Sequence, residues 1–181
     1  MKYFERHVCL NTKAYRIAED HLTAADQGDD AVALHDASEN ALVAGMNAAV
    51  ASYHMVDNIW EQHKGGAPTY GQSSLADYRA YLDANFCLYA DTQNKWPELS
   101  VLGAVADAYK HYQLRSSAKP LSSAEDTLVC QRGFGLGPYG EGKFGGVSEV
   151  WIKTKTGIRA LGMVLFNVNR MWTAEIAKHG L

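Results

Sequence analysis

The sequence predicts a mainly α fold: a helical bundle that carries a small antiparallel β element in its C-terminal third and is closed by a C-terminal helix. Three observations predict it. Apolar residues recur at steps of three and four over 38–62, 98–113 and 161–178, the period of a helix with one buried face. β-forming residues concentrate at 127–132 and 147–155. Breakers fall between these stretches, as in Asp26-Gln27-Gly28-Asp29-Asp30 and Lys64-Gly65-Gly66-Ala67-Pro68.

Taken in order, residues 4–26 read as a first helix, rich in alanine and long side chains. Asp29 and Asp30 suit the start of the second, where the macrodipole favours negative charge. That helix, 31–62, places Leu42, Met46, Ala49, Tyr53, Val56 and Trp60 on one stripe. Ser73 or Ser74 can cap a short helix from Leu75 to about Asn85, with Asp77 in its first turn, and a further helical piece is expected over 86–92. Pro97 then opens a helix expected to reach about Leu114, with Leu99, Leu102, Val105, Ala106 and Tyr109 on its apolar side. Trp151-Ile152-Lys153-Thr154 alternates as a half-buried strand would, and Thr156-Gly157 turns into a brief third strand. Leu161, Leu165, Val168 and Trp172, with Met163, Val164 and Phe166 beside them, fit a broadly buried last helix.

A chain of 181 residues forms one domain here, with 1–115 as the bundle, 126–160 as the β element and 161–179 as the closing helix. It buries enough surface to need neither metal nor disulfide for stability. The net charge of −3 gives no broad basic footprint, so duplex DNA is not an expected partner; Lys110, Arg115 and Lys119 form at most a local basic patch. Cys9, Cys87 and Cys130 are odd in number and show no CxxC spacing, which points to reduced thiols. No apolar run has the length of a membrane span and the first residues lack a signal-peptide core, so the cytoplasm is the expected location and no membrane partner is expected.

Two segments carry candidate chemistry. His54, Asp57 and Glu61 share one arc of the second helix, and imidazole beside carboxylate can share a proton or ligate a metal. Three ligands from one helix rarely close a coordination sphere, and neither HExxH nor Glu-x-x-His occurs, so no metal or other cofactor is expected. The plainer account is a histidine bonded to a neighbouring carboxylate, tying helices together. Asp107, Lys110 and His111 stand at i, i+3 and i+4, so the carboxylate can pair with either cation. If that face turns toward Asp57, His111 can serve as general base and Lys110 as the stabiliser of a phosphate.

The stretch 133–146 contains a literal GxGxxG at Gly135, Gly137 and Gly140. A dinucleotide site needs a helix start after those glycines; Pro138 and the later glycines argue against one. A loop between strands is expected instead, with Phe134, Tyr139 and Phe144 over the bundle. With Arg132 and Lys143, those aromatics could alternatively stack on single-stranded RNA.

Ser52-Tyr53-His54-Met55-Val56-Asp57-Asn58-Ile59-Trp60 and Asp107-Ala108-Tyr109-Lys110-His111 together resemble a group of small bacterial proteins, most of undescribed activity. In that group an early helix carries His-x-x-Asp-x-x-aromatic and a later one ends in Lys-His. The group is in turn similar to the HEPN superfamily of helical bundles, and the resemblance covers residues 40–115. It implies an HEPN-like homodimer in RNA- or defence-related biology, with an RNA or protein partner. Active HEPN ribonucleases place an arginine four to six residues before the histidine. Here Ala106 stands before Asp107, so the resemblance implies a degenerate or absent nuclease. Arg16-Ile17-Ala18-Glu19-Asp20-His21 keeps the count but lies on the first helix.

The first reading is therefore an HEPN-like, metal-independent ribonuclease in degenerate or residual form. It would use His111 as base, Lys110 or Arg16 at the phosphate, and Asp57 orienting a histidine such as His54; Arg16 and His21 are secondary candidates. Two readings from other classes stand beside it. One is a metal-dependent hydrolase using His54, Asp57 and His111; the other is a non-enzymatic interaction or inhibitor protein.

Overall fold

The structure, a computed structural model, describes residues 2–86, 97–111, 114, 119–131, 142–143 and 145–181. A π-helical turn, Phe4–Cys9, leads into α1, Leu10–Asp26. Then come α2, Ala31–His63, α3, Leu75–Asn85, and α4, Glu98–Lys110. Strands β1, Thr127–Gln131, β2, Ser148–Lys153, and β3, Ile158–Ala160, precede α5, Leu161–His179. The architecture is the mainly helical one expected, with a three-stranded antiparallel sheet in the order β1-β2-β3 and a closing helix. No described helix is long and apolar enough to cross a membrane.

α2 is the axis of the fold. Asp30 caps it by accepting from the Val32 and Ala33 N–H groups, a contact worth about 1 kcal/mol. Its buried face is broader than the expected stripe: the expected Met46, Ala49 and Val56 are buried, and so are Ala41, Gly45, Ala48, Ser52, Met55 and Ile59 beside them. Small residues hold the centre because neighbouring elements approach closely there. A Cβ on Gly45 would lie 2.7 Å from Leu161 Cδ2 and 3.1 Å from the Tyr15 ring. Leu42, Tyr53 and Trp60 flank this seam and are only half-buried.

Three other expectations are corrected. β2 does not alternate: Ser148 to Ile152 are all buried, because α1, α2 and α5 contact that strand. On α5, Phe166 points outward, and on α4 so does Tyr109. α4 ends at Lys110 rather than near Leu114; His111 is already extended, and Leu114 donates its N–H to the Ser122 carbonyl. Residues 87–92 of the extra helical piece lie outside the described residues. Ser74 does cap α3, accepting from the Asp77 N–H at 3.1 Å.

Buried polar groups fasten the C-terminal third to the bundle. Glu98, in the first turn of α4, accepts from Arg159 Nη2 at 2.8 Å and from Asn167 Nδ2 at 2.7 Å. The two ion-pair side chains are 3% and 0% exposed, so the charges hold one another in place of water. Asp26, ending α1, accepts from the Ser148 N–H, the Ser148 hydroxyl and Gln131, gripping the edge of β1 and β2. Glu19 receives Tyr15, Lys143 and the Val150 N–H. Cys9 and Cys130 are free thiols; Cys87 lies outside the described residues.

Removing one member of the Glu98–Arg159 pair strands the other charge in the interior. Arg159→Leu is expected to lower unfolding free energy by about 3 to 5 kcal/mol in urea titrations. A loss under about 1 kcal/mol, the scale of an exposed pair, would contradict the buried-pair assignment.

Candidate functional site

The site forms where the C-terminal half of α2 meets α3 and the end of α4. His54 and Asp57 are one turn apart on α2, and His54 Nδ1 lies 2.6 Å from Asp57 Oδ2. The second carboxylate oxygen accepts from Arg79 Nη2 of α3 at 2.5 Å. On the other side of the imidazole, Lys110 Nζ of α4 lies 3.2 Å from His54 Nε2. The four side chains form one chain of contacts: guanidinium, carboxylate, imidazole, ammonium.

The protonation pattern follows from the partners. An ammonium only donates, so Nε2 is the acceptor and the neutral ring carries its proton on Nδ1, directed at Asp57. Asp57 thus fixes tautomer and ring orientation, while Arg79 fixes Asp57. Side-chain exposures of 32% for His54, 30% for Asp57 and 34% for Arg79 leave the cluster open to solvent, unlike the sealed Glu98–Arg159 pair.

Packing holds the guanidinium. Its carbon stands 5.1 Å from the centre of the Tyr53 ring, within cation–π range. Tyr53 in turn meets His54 edge-on at 5.8 Å. Gly103 makes room for Tyr53: a Cβ there would fall 2.7 Å from its ring. Burial pushes the Tyr53 hydroxyl above its usual range, with Arg79 opposing and nearby aspartates adding to the rise. Tyr3, just before the N-terminal turn, donates its hydroxyl to the Ala51 carbonyl of α2 at 3.4 Å, and that hydroxyl is also raised, first by burial and then by the charge of Asp57. Asp83 of α3 caps α4, accepting from the Ser100 N–H at 3.2 Å and from its hydroxyl at 2.5 Å. Burial raises the Asp83 carboxyl and these hydrogen bonds oppose the rise. That cap ties α4, and therefore Lys110, to the helix that carries Arg79.

Of the residues singled out from the sequence, His54, Asp57 and Lys110 converge. His111 does not join them: helical geometry ends at Lys110, and the exposed His111 ring makes no hydrogen bond or ion pair with the cluster. Asp107 pairs with Lys119, neither with Lys110 nor with His111. Glu61 is exposed and pairs with Lys64. Arg16 and His21 are both exposed on α1. Arg16 borders a separate groove of about 630 Å3 with Phe4, Val8 and Asn169.

Among the described residues no three histidine, cysteine or acidic side chains are grouped as metal ligands. At His54 and Asp57 the positions a cation would take are held by Arg79 and Lys110, so the donor set does not fit a metal. In the glycine-rich stretch, residues 133–141 and 144 lie outside the described residues, as does Arg132. Lys143 is committed to the bundle, 2.7 Å from Glu19 Oε2 and 2.5 Å from Thr23 Oγ1.

Arg79 is the site residue that sequence reading misses. It is the one cation of α3, but no spacing relates it to Asp57, twenty-two positions earlier. No protein-family model, curated protein or solved structure matches this chain.

The geometry predicts that His54 carries its proton on Nδ1. Long-range nitrogen–proton NMR of the imidazole is expected to show that tautomer, and Asp57→Asn to shift the population toward Nε2–H. A dominant Nε2–H form in the unsubstituted protein would contradict the assigned orientation.

Proposed function

We propose that this protein is a metal-independent RNA-cleaving protein of HEPN-like character, acting in RNA- or defence-related biology, with His54 as its base. The observation that carries the reading is the Arg79–Asp57–His54–Lys110 chain: an oriented imidazole, one-third exposed, with an ammonium at its basic nitrogen. His54 replaces His111 in the role the sequence pattern gave to the latter. The HEPN resemblance adds a homodimer and an RNA or protein partner to the proposal.

The chemistry needs only acid, base and charge stabilisation. His54 Nε2 takes the proton of a ribose 2′-hydroxyl as the oxygen bonds to phosphorus. The bond from phosphorus to the 5′-oxygen breaks, and the leaving alkoxide takes a proton from the Lys110 ammonium. The products are a cyclic phosphate and a free 5′-hydroxyl. The neutral Lys110 amine then recovers a proton from the His54 imidazolium, which restores the starting state. Asp57 stabilises the imidazolium and Arg79 keeps Asp57 in place; neither needs to touch substrate. Positioned proton transfer of this kind contributes about 10²- to 10⁴-fold.

A second reading rests on the same contacts. Both imidazole nitrogens and both Asp57 oxygens already have partners, as in a polar clamp joining α2, α3 and α4 in a non-enzymatic interaction protein. The two readings separate on His54→Ala. The ribonuclease reading expects cleavage of single-stranded RNA to fall by about 10²-fold or more with circular dichroism and melting unchanged within a few degrees. Absence of cleavage in the unsubstituted protein, or cleavage indifferent to His54→Ala, would leave the clamp.

A further inference from the structure

Lys110 stands in an unusual electrostatic position. It is the last residue of α4, where a cation ordinarily serves the helix C-terminus or a carboxylate one turn back. That carboxylate, Asp107, is taken by Lys119. The ammonium instead crosses to α2 and donates to a neutral nitrogen, His54 Nε2. Among the described residues it forms no ion pair. Arg79 is matched by Asp57 and Lys119 by Asp107, so the Lys110 ammonium is the cation of this group without a carboxylate against it among the described residues.

The same contact blocks the site. Nε2 has a single lone pair, and while Lys110 donates into it the imidazole cannot accept a proton from anything else. The two cations differ in how firmly they are held. Arg79 is paired with Asp57, lies over Tyr53 and has its Nε buried. Lys110 is exposed and, among the described residues, makes one side-chain hydrogen bond. A ligand entering the cluster therefore displaces Lys110, not Arg79.

We infer that Lys110 is a displaceable latch on His54, opened by a phosphodiester monoanion that enters between the ammonium and Nε2. A monoanion matches the one ammonium that has no carboxylate against it among the described residues. One of its oxygens takes the ammonium, and Nε2 is left facing the ligand. The cluster is then closed toward neutral molecules and open toward the diester it would act on. This regulation rests on the proposed role of His54 as base, but it makes a separate physical claim about the free protein.

Two measurements test it without RNA turnover. Diethyl pyrocarbonate acylates an unblocked imidazole nitrogen, and peptide mapping reads its rate at His54. Lys110→Met is expected to raise that rate about tenfold, the scale of losing one hydrogen bond from a charged donor. Dimethyl phosphate is expected to shift the His54 Nε2 resonance saturably in the unsubstituted protein. The same titration should need about tenfold more ligand in Lys110→Met. An acylation rate unchanged by Lys110→Met overturns the latch, and so does a diester shift that is absent or independent of Lys110. A shift given by inorganic phosphate at high pH but not by dimethyl phosphate overturns the assignment to a monoanionic diester. Failure of His54→Ala to reduce RNA cleavage would instead sink the ribonuclease reading and leave these results standing, so the two claims fail separately.

Discussion

Everything in this fold is arranged around the close approach that the small residues of α2 permit. Ala41, Gly45, Ala48 and Ser52 line the face where α1, α4 and α5 come against a single 33-residue helix. At Gly45 there is no room for even one methyl group beside Tyr15 and Leu161. Close-packed interiors tolerate neither voids nor overfilling. The large residues of α2 are therefore displaced toward its flanks and its C-terminal half. Tyr53, His54, Asp57 and Trp60 lie there, half-buried. The polar cluster is thus a consequence of packing: where the small-residue seam leaves α2 less enclosed, polar side chains meet both neighbours and water.

Two of the ion pairs, Glu98–Arg159 and Asp57–Arg79, show opposite solutions to the same problem. Glu98 and Arg159 are sealed, with Asn167 supplying a further hydrogen bond, and they tie the start of α4 to β3 and α5. Their removal from water is expensive, and their contribution is to fix which elements meet. Asp57 and Arg79 are one-third exposed, so their attraction is screened and contributes little to stability. What the exposed pair provides is orientation. Holding Asp57 from one side leaves its other oxygen aimed at His54 Nδ1, and that sets the tautomer presented to Lys110 and to solvent.

Much of the fold was legible because period and breakers act locally. Asp30 before an apolar-periodic run, Ser74 before Leu75 and Pro97 before Glu98 each mark a helix start through hydrogen-bonding or φ constraints within a few residues. The alternation at Trp151-Ile152-Lys153 misled because strand periodicity reports one covered face, whereas β2 is packed against helices as well as flanked by strands. The end of α4 misled because nothing in Lys110-His111 itself stops a helix; the chain departs to pair Leu114 with Ser122. That small difference decided the site. His111 would share a face with Asp107 only in continued helix, while His54, Asp57 and Lys110 lie within regular helix and kept their places. Arg79 could not be found from spacing, since its partner is on another element and the relation exists only after packing.

The central claim is that an oriented imidazole and an adjacent ammonium, without metal, perform phosphodiester chemistry. It is tested most directly by the ends of the RNA fragments the protein produces in excess chelator. The account predicts cyclic phosphate termini facing free 5′-hydroxyls, at a rate unaffected by chelation. Fragments with 5′-phosphate ends, or cleavage that chelator abolishes, would contradict it.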